Sequence, residues 1–180
     1  MPAPTSPFTL ADPVNNNDHT EGPSHSKVTL VEYGDFECPS CSQAYPAVNL
    51  LLKHFAGRLR FVFRHFPLRE VHPLAELAAE AAEAAGAQDK FWLMHNLLFE
   101  HRGHLKAGNL RHYAELIELD LQRYDYDVAQ HVYLQRIQEH ISSGVSSGVR
   151  TTPCFFLNGV LHDTSFSLQS LQAAIEHALR

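Results

Sequence analysis

Two cysteines separated by two residues mark the stretch of this sequence that is best suited to chemistry. Cys38, Pro39, Ser40 and Cys41 follow an apolar run, where a predicted strand gives way to a predicted helix. Thiols at this spacing form a small disulfide ring, which opens when a thiolate attacks one of its sulfurs. Free backbone N–H groups and the helix dipole stabilise a thiolate at the start of a helix. We therefore predict that Cys38 is the nucleophile and that the more buried Cys41 is the resolving thiol.

A structural zinc site is the main alternative interpretation of the cysteine pair. Such a site needs a second pair of ligands, normally two closely spaced cysteines or histidines. Only Cys154 remains among the cysteines, and the 13 histidines are scattered, with a loose ligand spacing at His101 and His104. The sequence therefore favours redox chemistry over metal binding, and we predict neither a metal nor another cofactor.

Glu32 is a candidate for proton transfer at the same site. It interrupts an apolar strand six positions before Cys38. Burial raises the pKa of a carboxyl group, so Glu32 can hold a proton and pass it to Cys41 as the ring opens. The alternative is a carboxylate at a strand end that faces water or pairs with an arginine.

A second candidate region lies far along the chain, at Thr152, Pro153 and Cys154. If the bond before Pro153 is cis, the backbone of Thr152 is free to pair with an extended substrate segment; an ordinary trans turn is the alternative. Cys154 is interpreted either as a small buried apolar residue or as an accessory thiol close to the pair. His65, His72 and His95 are interpreted as packing or surface residues.

The elements around these residues predict an α/β fold. A strand at 28–33, a helix from Cys38 to Gly57 and a strand at 59–63 form a βαβ unit. About 75 helical residues follow, with helices predicted at 74–85, 89–101, 110–119 and 125–143. A hairpin with Asn158-Gly159 at its turn and a last helix complete one four-stranded mixed sheet.

This order divides the chain into three parts. Residues 1–26 are predicted to be a flexible, proline-rich arm. Residues 27–68 and 149–180 are predicted to form the α/β domain, and residues 69–148 an inserted helical domain.

Composition limits the partners and the location. The net charge is −6 and no stretch concentrates Lys and Arg, which argues against nucleic acid as a partner. No apolar run approaches the ~20 residues that span a bilayer, so no membrane insertion is predicted. No secretory signal is recognisable, which predicts a cytoplasmic protein; a periplasmic or extracytoplasmic location is the alternative if a signal has been removed.

Three segments resemble the DsbA-like thioredoxin-fold thiol–disulfide oxidoreductases. They are residues 22–41, 61–68 and 148–159, and the resemblance extends over residues 22–180. It implies a thioredoxin fold (β-α-β, then β-β-α) with an all-helical domain inserted between the two halves. It also implies a cis bond at Pro153 facing the cysteines, with Cys38 as nucleophile, Cys41 as resolving thiol and Glu32 as the acid beneath them.

The predicted function is therefore thiol–disulfide exchange with protein thiols and disulfides, together with an unidentified redox partner. Ser40 stands where many members of the family have histidine, and Cys154 is uncommon after the proline. The sequence leaves the direction open between oxidase and reductase. The alternative is a binding or chaperone-like module with little redox activity, suggested by the large helical block.

Overall fold

A computed structural model of the chain describes residues 8–162 and 168–180. The strands and helices in these residues follow the order predicted for a thioredoxin fold, with one strand added before the first predicted strand and one predicted helix divided in two. The strands are β1 His19–Glu21, β2 Val28–Gly34, β3 Leu59–His65, β4 Cys154–Leu157 and β5 Val160–His162. The helices are α1 Pro39–His54, α2 Ala75–Gly86, α3 Phe91–Glu100, α4 Ala107–Leu116, α5 Leu121–Ala129, α6 Leu134–Ser146 and α7 Leu168–Leu179.

One mixed sheet organises the molecule, with strand order β1-β3-β2-β4-β5. The two central strands, β2 and β3, are parallel and in register from Val28–Leu59 to Gly34–His65. All other pairs are antiparallel. Central strands are covered on both faces, which explains why β2 and β3 read as nearly continuous apolar runs.

The two faces of the sheet carry separate apolar clusters. Leu30 faces a large cluster that includes Cys41, Phe63 and residues of α1 to α5 and α7. Val31 faces a smaller cluster on the other side. Successive side chains of a strand point to opposite faces, so Glu32 lies on the side of Leu30 and Cys41.

Helices α2 to α6 all lie between β3 and β4 in the sequence, in agreement with the predicted all-helical block. The predicted helix at 125–143 is instead two helices, α5 and α6, and His131 between them has a positive φ of 51°. Helix α2 is buried along most of its length, because its alanines allow neighbouring helices to approach closely. The boundaries 69–148 of an inserted domain stay a prediction.

The prediction of a flexible arm is wrong for the described residues 8–26. Strand β1 extends the sheet from four strands to five by pairing with β3. Arg64 of β3 explains why this segment is held: its guanidinium is 3% exposed and bonds both carboxylate oxygens of Asp18 at 2.9 Å. A buried guanidinium needs a partner, and here the partner comes from a segment that composition alone assigns to an arm. Residues 1–7 of the predicted arm lie outside the described residues.

The hairpin between β4 and β5 has the predicted turn. Asn158 and Gly159 have φ values of 47° and 81°, as a type I′ turn requires. The Asn158 side chain accepts a hydrogen bond from Thr29 N at 2.8 Å, which ties the turn to β2. Among the described residues, no helix is long and apolar enough to span a bilayer.

Candidate active site

Cys38 immediately precedes α1, and Pro39 occupies the first helical turn. The Cys38 amide donates to the Asp35 carbonyl at 3.2 Å and to Asp35 Oδ1 at 3.1 Å. Its Sγ lies 3.6 Å from the carbonyl oxygen of Thr152, 114 positions away in sequence. The cysteine pair and the segment before β4 therefore form one site.

The environment of Cys38 favours its thiolate. A hydrogen bond from the Cys41 thiol, together with hydrogen bonds from the amides of Cys41 and Ser40, lowers its pKa to about 5. These bonds outweigh burial, which acts in the opposite direction. Cys38 is thus mostly ionised at neutral pH when the pair is reduced.

The environment of Cys41 has the opposite effect and favours its protonated thiol. Its side chain is fully buried, and burial raises its pKa far above the ordinary value of a thiol. The hydrogen bond it donates to Cys38 and the negative charge of Glu32 act in the same direction. Both cysteines are free thiols in this structure.

Glu32 lies on the Cys41 side of β2 and is 4% exposed. Burial, and then the charge of Cys38, raises its pKa to about 8. Gly34, two positions further along β2, is in close contact with this region: a Cβ there would lie 2.5 Å from the Phe63 ring and 3.2 Å from Glu32 Oε1. The absence of a side chain at Gly34 leaves room for both groups.

Thr152 and Pro153 are joined by a cis peptide bond. Thr152 is 4% exposed, and its carbonyl oxygen faces Cys38 Sγ. The structure thus brings Cys38, Cys41, Glu32 and Thr152 to the same end of the sheet.

Cys154 lies on the other side of the sheet. It pairs with Tyr33 across β2 and β4, and residues that pair directly share a face. Both belong to the smaller apolar cluster, away from Cys41. Burial raises the pKa of Cys154 to about 11, so its thiol is a poor nucleophile at neutral pH.

Sequence reasoning missed Asp35, which is 1% exposed and organises the loop before Cys38. Its Oδ1 accepts from the amides of Glu37 and Cys38, and its Oδ2 accepts from the amide of Leu68 at 2.9 Å. Nδ1 of His72 lies 2.7 Å from the same Oδ2. The available signal was an aspartate four residues before the start of α1, because an aspartate side chain often accepts hydrogen bonds from backbone amides a few positions later.

His65, one of the histidines interpreted as packing or surface residues, belongs to a second cluster that sequence reasoning missed. His65 Nε2 and His19 Nε2 lie 2.8 and 2.9 Å from Oε1 of Glu83, and Arg136 pairs with its Oε2 at 2.9 Å. Burial alone would raise the pKa of Glu83, but hydrogen bonds from the two histidines lower it well below its ordinary value. In the described part of the chain, no group of three or more His, Cys, Asp or Glu side chains is arranged to hold a metal ion.

Comparison with known proteins decides the family. The family model described as thioredoxin matches residues 14–177. The chain belongs to the thioredoxin family. BdbD of Bacillus subtilis, in its oxidised form, superimposes with a TM-score of 0.86 at 20% identity, covering 97% of this chain and 99% of that chain. The predicted resemblance to DsbA-like proteins is confirmed for the fold: the thiol–disulfide exchange protein α-DsbA2 of Wolbachia pipientis superimposes with a TM-score of 0.77 at 19% identity, covering 91% of this chain and 88% of that chain.

Two further relatives extend the comparison. A thioredoxin-like oxidoreductase from Silicibacter pomeroyi is 26% identical with a TM-score of 0.77, covering 91% of this chain and 93% of that chain. The Na⁺/H⁺ antiporter NhaA 1 of Salinispora arenicola is 48% identical over 163 residues, which are 91% of this chain and 25% of the antiporter. The chain therefore spans about a quarter of the length of the curated relatives it matches.

The prediction of a cytoplasmic protein is wrong. It is contradicted by a solved structure of the same architecture, a protein from Salmonella enterica described as a periplasmic thioredoxin-like protein. That structure has a TM-score of 0.71 at 20% identity and covers 90% of each chain. The prediction rested on the lack of a recognisable secretory signal, which does not by itself determine the location of a protein.

Proposed function

We propose that the chain exchanges disulfides with protein substrates through Cys38 and Cys41. One observation carries the proposal: two thiols within hydrogen-bond reach have pKa values shifted in opposite directions. A nucleophile that is ionised at neutral pH beside a thiol that stays protonated is the asymmetry that stepwise exchange requires.

The acidity of Cys38 favours the direction in which the chain oxidises its substrate. A thiolate that is stable in the reduced form makes the Cys38–Cys41 disulfide a stronger oxidant. A substrate thiolate attacks Cys38 Sγ, the Cys38–Cys41 bond breaks, and Cys41 leaves with the electron pair. The product is a mixed disulfide between Cys38 and the substrate.

Glu32 supplies the proton in this step. With a pKa of about 8, its carboxyl group is mostly protonated at neutral pH, and the leaving Cys41 thiolate is the stronger base. A second substrate thiolate then attacks the substrate sulfur of the mixed disulfide and releases Cys38 as a thiolate. The substrate has lost two electrons and gained a disulfide, and the chain holds two thiols that a partner disulfide reoxidises.

Thr152 and Pro153 are proposed to bind the substrate. In the reduced protein the carbonyl oxygen of Thr152 faces Cys38 Sγ. Neither the Cys38 thiolate nor a Cys38 that is bonded to a substrate sulfur has a proton to donate to this oxygen. The Thr152 carbonyl then accepts a hydrogen bond from the substrate backbone, as in strand addition.

Oxidative refolding of a reduced, unfolded disulfide protein tests the proposal. We expect the oxidised wild type to restore activity of the substrate protein, and Cys38→Ser to lose this catalysis. Cys154→Ala is the matched control, because it removes the cysteine on the opposite face of the sheet. Equal rates for wild type and Cys38→Ser would refute exchange through this pair.

A chaperone-like module remains the alternative to redox catalysis, suggested by the helical block between β3 and β4. It predicts that suppression of substrate aggregation survives in the double variant Cys38→Ser, Cys41→Ser. Light scattering of an unfolding client measures this. Suppression that disappears with the cysteines would contradict it.

A second candidate function follows from the sequence relatives named as Na⁺/H⁺ antiporters. In one of them, NhaA 1 of Salinispora arenicola, a segment 48% identical to this chain accompanies the remaining three quarters of the protein. This favours an antiporter as a substrate or partner of the thiol pair. In cells that express Cys41→Ser, which retains mixed disulfides, we expect a Cys38-linked adduct with an antiporter, identified by mass spectrometry. Adducts with other proteins and none with an antiporter would contradict this candidate.

A further inference from the structure

The Asp35 carboxylate is a buried charge at the start of the nucleophile's helix, and four donors surround it. Two are the amides of Glu37 and Cys38, at 2.8 and 3.1 Å from Oδ1. The others are the amide of Leu68 and the ring of His72, at 2.9 and 2.7 Å from Oδ2. One carboxylate thus joins the backbone of Cys38 to a segment that is more than thirty positions away in sequence.

The segment that reaches Asp35 follows β3 and ends at α2. Besides Leu68 and His72, it contributes the amide of Leu74, which donates to Glu37 Oε2 at 2.7 Å. The loop before the nucleophile is therefore held at three points by a single connecting segment. Arg102, after α3, donates to the carbonyl of Glu37 from another direction.

We propose that Asp35 and His72 are a pair of positioning residues that fixes the Cys38 backbone and thereby sets the reactivity of its thiolate. This inference rests on the proposed function, and it adds two residues to the machinery of the site. Neither side chain forms a bond with the substrate. They act through the amide of Cys38.

The hydrogen bonds of Asp35 determine where the charge of its carboxylate is directed. Hydrogen bonds to a carboxylate spread and compensate its charge, and each charge-assisted bond contributes substantially. His72 and Leu68 compensate the Oδ2 side, so that Oδ1 keeps a fixed orientation towards Cys38 N–H. That orientation aims Cys38 Sγ at the Ser40 and Cys41 amides, which lower its pKa.

Loss of the His72 donor therefore acts on the thiol. Asp35 is left with a less compensated negative charge next to Cys38, and this disfavours a second negative charge on the sulfur. The carboxylate also loses the bond that opposes its rotation. Both effects raise the pKa of Cys38 and slow its reactions below neutral pH.

The experiment measures the pKa of Cys38 from the pH dependence of alkylation of the reduced protein by iodoacetamide. We expect His72→Phe to raise it by about one unit, so that alkylation well below the pKa becomes about tenfold slower. We expect His72→Asn to recover more than half of this change, because the asparagine side-chain amide places a neutral donor where Nδ1 stood. His72→Ala serves as the donor-free variant if His72→Phe does not fold.

His112→Phe is the matched control, because it removes an exposed histidine that pairs with a carboxylate on the surface of α4. We expect it to leave the pKa of Cys38 unchanged. The inference is overturned if folded His72→Phe or His72→Ala reacts like wild type, or if His72→Asn reacts no better than His72→Phe. Alkylation needs no protein substrate, so a wild type that fails to oxidise substrates would contradict the proposed function and leave this result intact.

Discussion

At the scale of single residues, the site depends on a difference in ionisation between two thiol groups that are chemically identical. Cys38 and Cys41 are separated by less than one helical turn, yet the first is stabilised as a thiolate and the second as a thiol. Both are buried, but the first lies where backbone amides are free, whereas the second is completely buried and interacts with Glu32. The position of each sulfur relative to the start of α1 therefore determines which thiol ionises more readily.

Glu32→Gln tests the assignment of the proton donor. Glutamine has nearly the same shape but cannot give up a proton to the Cys41 thiolate. We expect formation of the mixed disulfide near neutral pH to slow by about a hundredfold, the lower end of the usual contribution of acid–base catalysis. Stopped-flow measurement with a reduced peptide substrate gives this rate. Glu115→Gln, on the exposed surface of α4, is the control, and an unchanged rate in Glu32→Gln would contradict the role.

The same carboxyl group makes a prediction about stability. Its folded pKa of about 8 lies above the ordinary value of 4.5, so the folded state holds the proton more tightly than the unfolded state. The stabilisation is complete below pH 4.5 and is lost as the pH rises through 8. Urea unfolding of the reduced protein should show this loss, and Glu32→Gln should abolish the part that Glu32 contributes. A pH dependence identical in both proteins would be inconsistent with a raised pKa.

Cys154 should react slowly although it is partly exposed. A pKa of about 11 leaves about one thiol in ten thousand ionised at pH 7, and the greater intrinsic reactivity of a basic thiolate offsets only part of this. We expect alkylation of Cys154 to be about tenfold slower than that of Cys38. Peptide mapping by mass spectrometry measures both rates. Equal rates in the folded protein would contradict the raised pKa of Cys154, and a Cys154–Cys38 disulfide after mild oxidation would show that the two thiols communicate.

The sequence predicted the residues whose signal is local. Cys38, Cys41 and Glu32 stand in a short stretch whose spacing relates directly to a strand and a helix. Asp35 and His72 could not be paired in this way, because the contact between them depends on how the segment after β3 folds back. A histidine in a connecting segment looks the same in sequence whether or not a carboxylate meets it.

At the scale of elements, α2 shows how small side chains create a buried polar centre. Its alanines bring it close to its neighbours, and Glu83 then faces His19 from β1, His65 from β3 and Arg136 from α6. Four elements thus meet at one carboxylate that is 4% exposed. The alanine and glutamate content predicted a helix but not its burial, which depends on what surrounds it.

Glu83→Ala should be strongly destabilising. It leaves Arg136 and two histidines without their carboxylate, and breaking a buried ion pair costs about 3–5 kcal/mol. Urea unfolding at pH 7 measures the change, and Glu176→Ala on the exposed side of α7 is the control. Because the pKa of Glu83 lies well below 4.5, its stabilisation is present above that pH and is lost as the pH falls further. A small effect at pH 7 would mean that the network contributes little.

The helix predicted at 125–143 shows that an apolar periodicity in the sequence does not reveal every break between helices. Apolar periodicity continues across the break, but the chain turns at His131 with a positive φ. Neither glycine nor proline stands there, so the sequence gives no stop signal. The Nδ1 atom of His131 lies 2.8 Å from Oε2 of Glu80 in α2, a contact that only the assembled helices provide.

At the scale of the whole molecule, the sheet separates two environments. One face holds the thiol pair, Glu32 and most of the helices, and the other holds the smaller cluster, α6 and the segment before β1. The order of elements was predictable because the βαβ unit and the hairpin have strong signals. The position of residues 8–26 could not be predicted from the sequence, because it depends on the pairing of Asp18 with the buried guanidinium of Arg64 in a central strand.

Asp18→Asn tests whether that segment stabilises the fold. The change leaves Arg64 buried without a full counter-charge, and we expect the free energy of unfolding to fall by about 3 kcal/mol. Thermal and urea unfolding measure it. Asp125→Asn is the matched control: it weakens a two-oxygen bond to Arg111 with the same geometry, but that pair is half exposed, so no measurable change is expected. Equal effects of the two substitutions would contradict the importance of burial.

The position of Cys154 behind the sheet has a practical consequence for anyone who handles the protein. With three cysteines and one of them shielded from the other two, the number of free thiols reports the chemical state of a sample. Three free thiols correspond to the reduced protein, two to an adduct on Cys38, and one to the closed ring. A colorimetric thiol count after unfolding therefore reads out progress of the reaction without a reporter substrate.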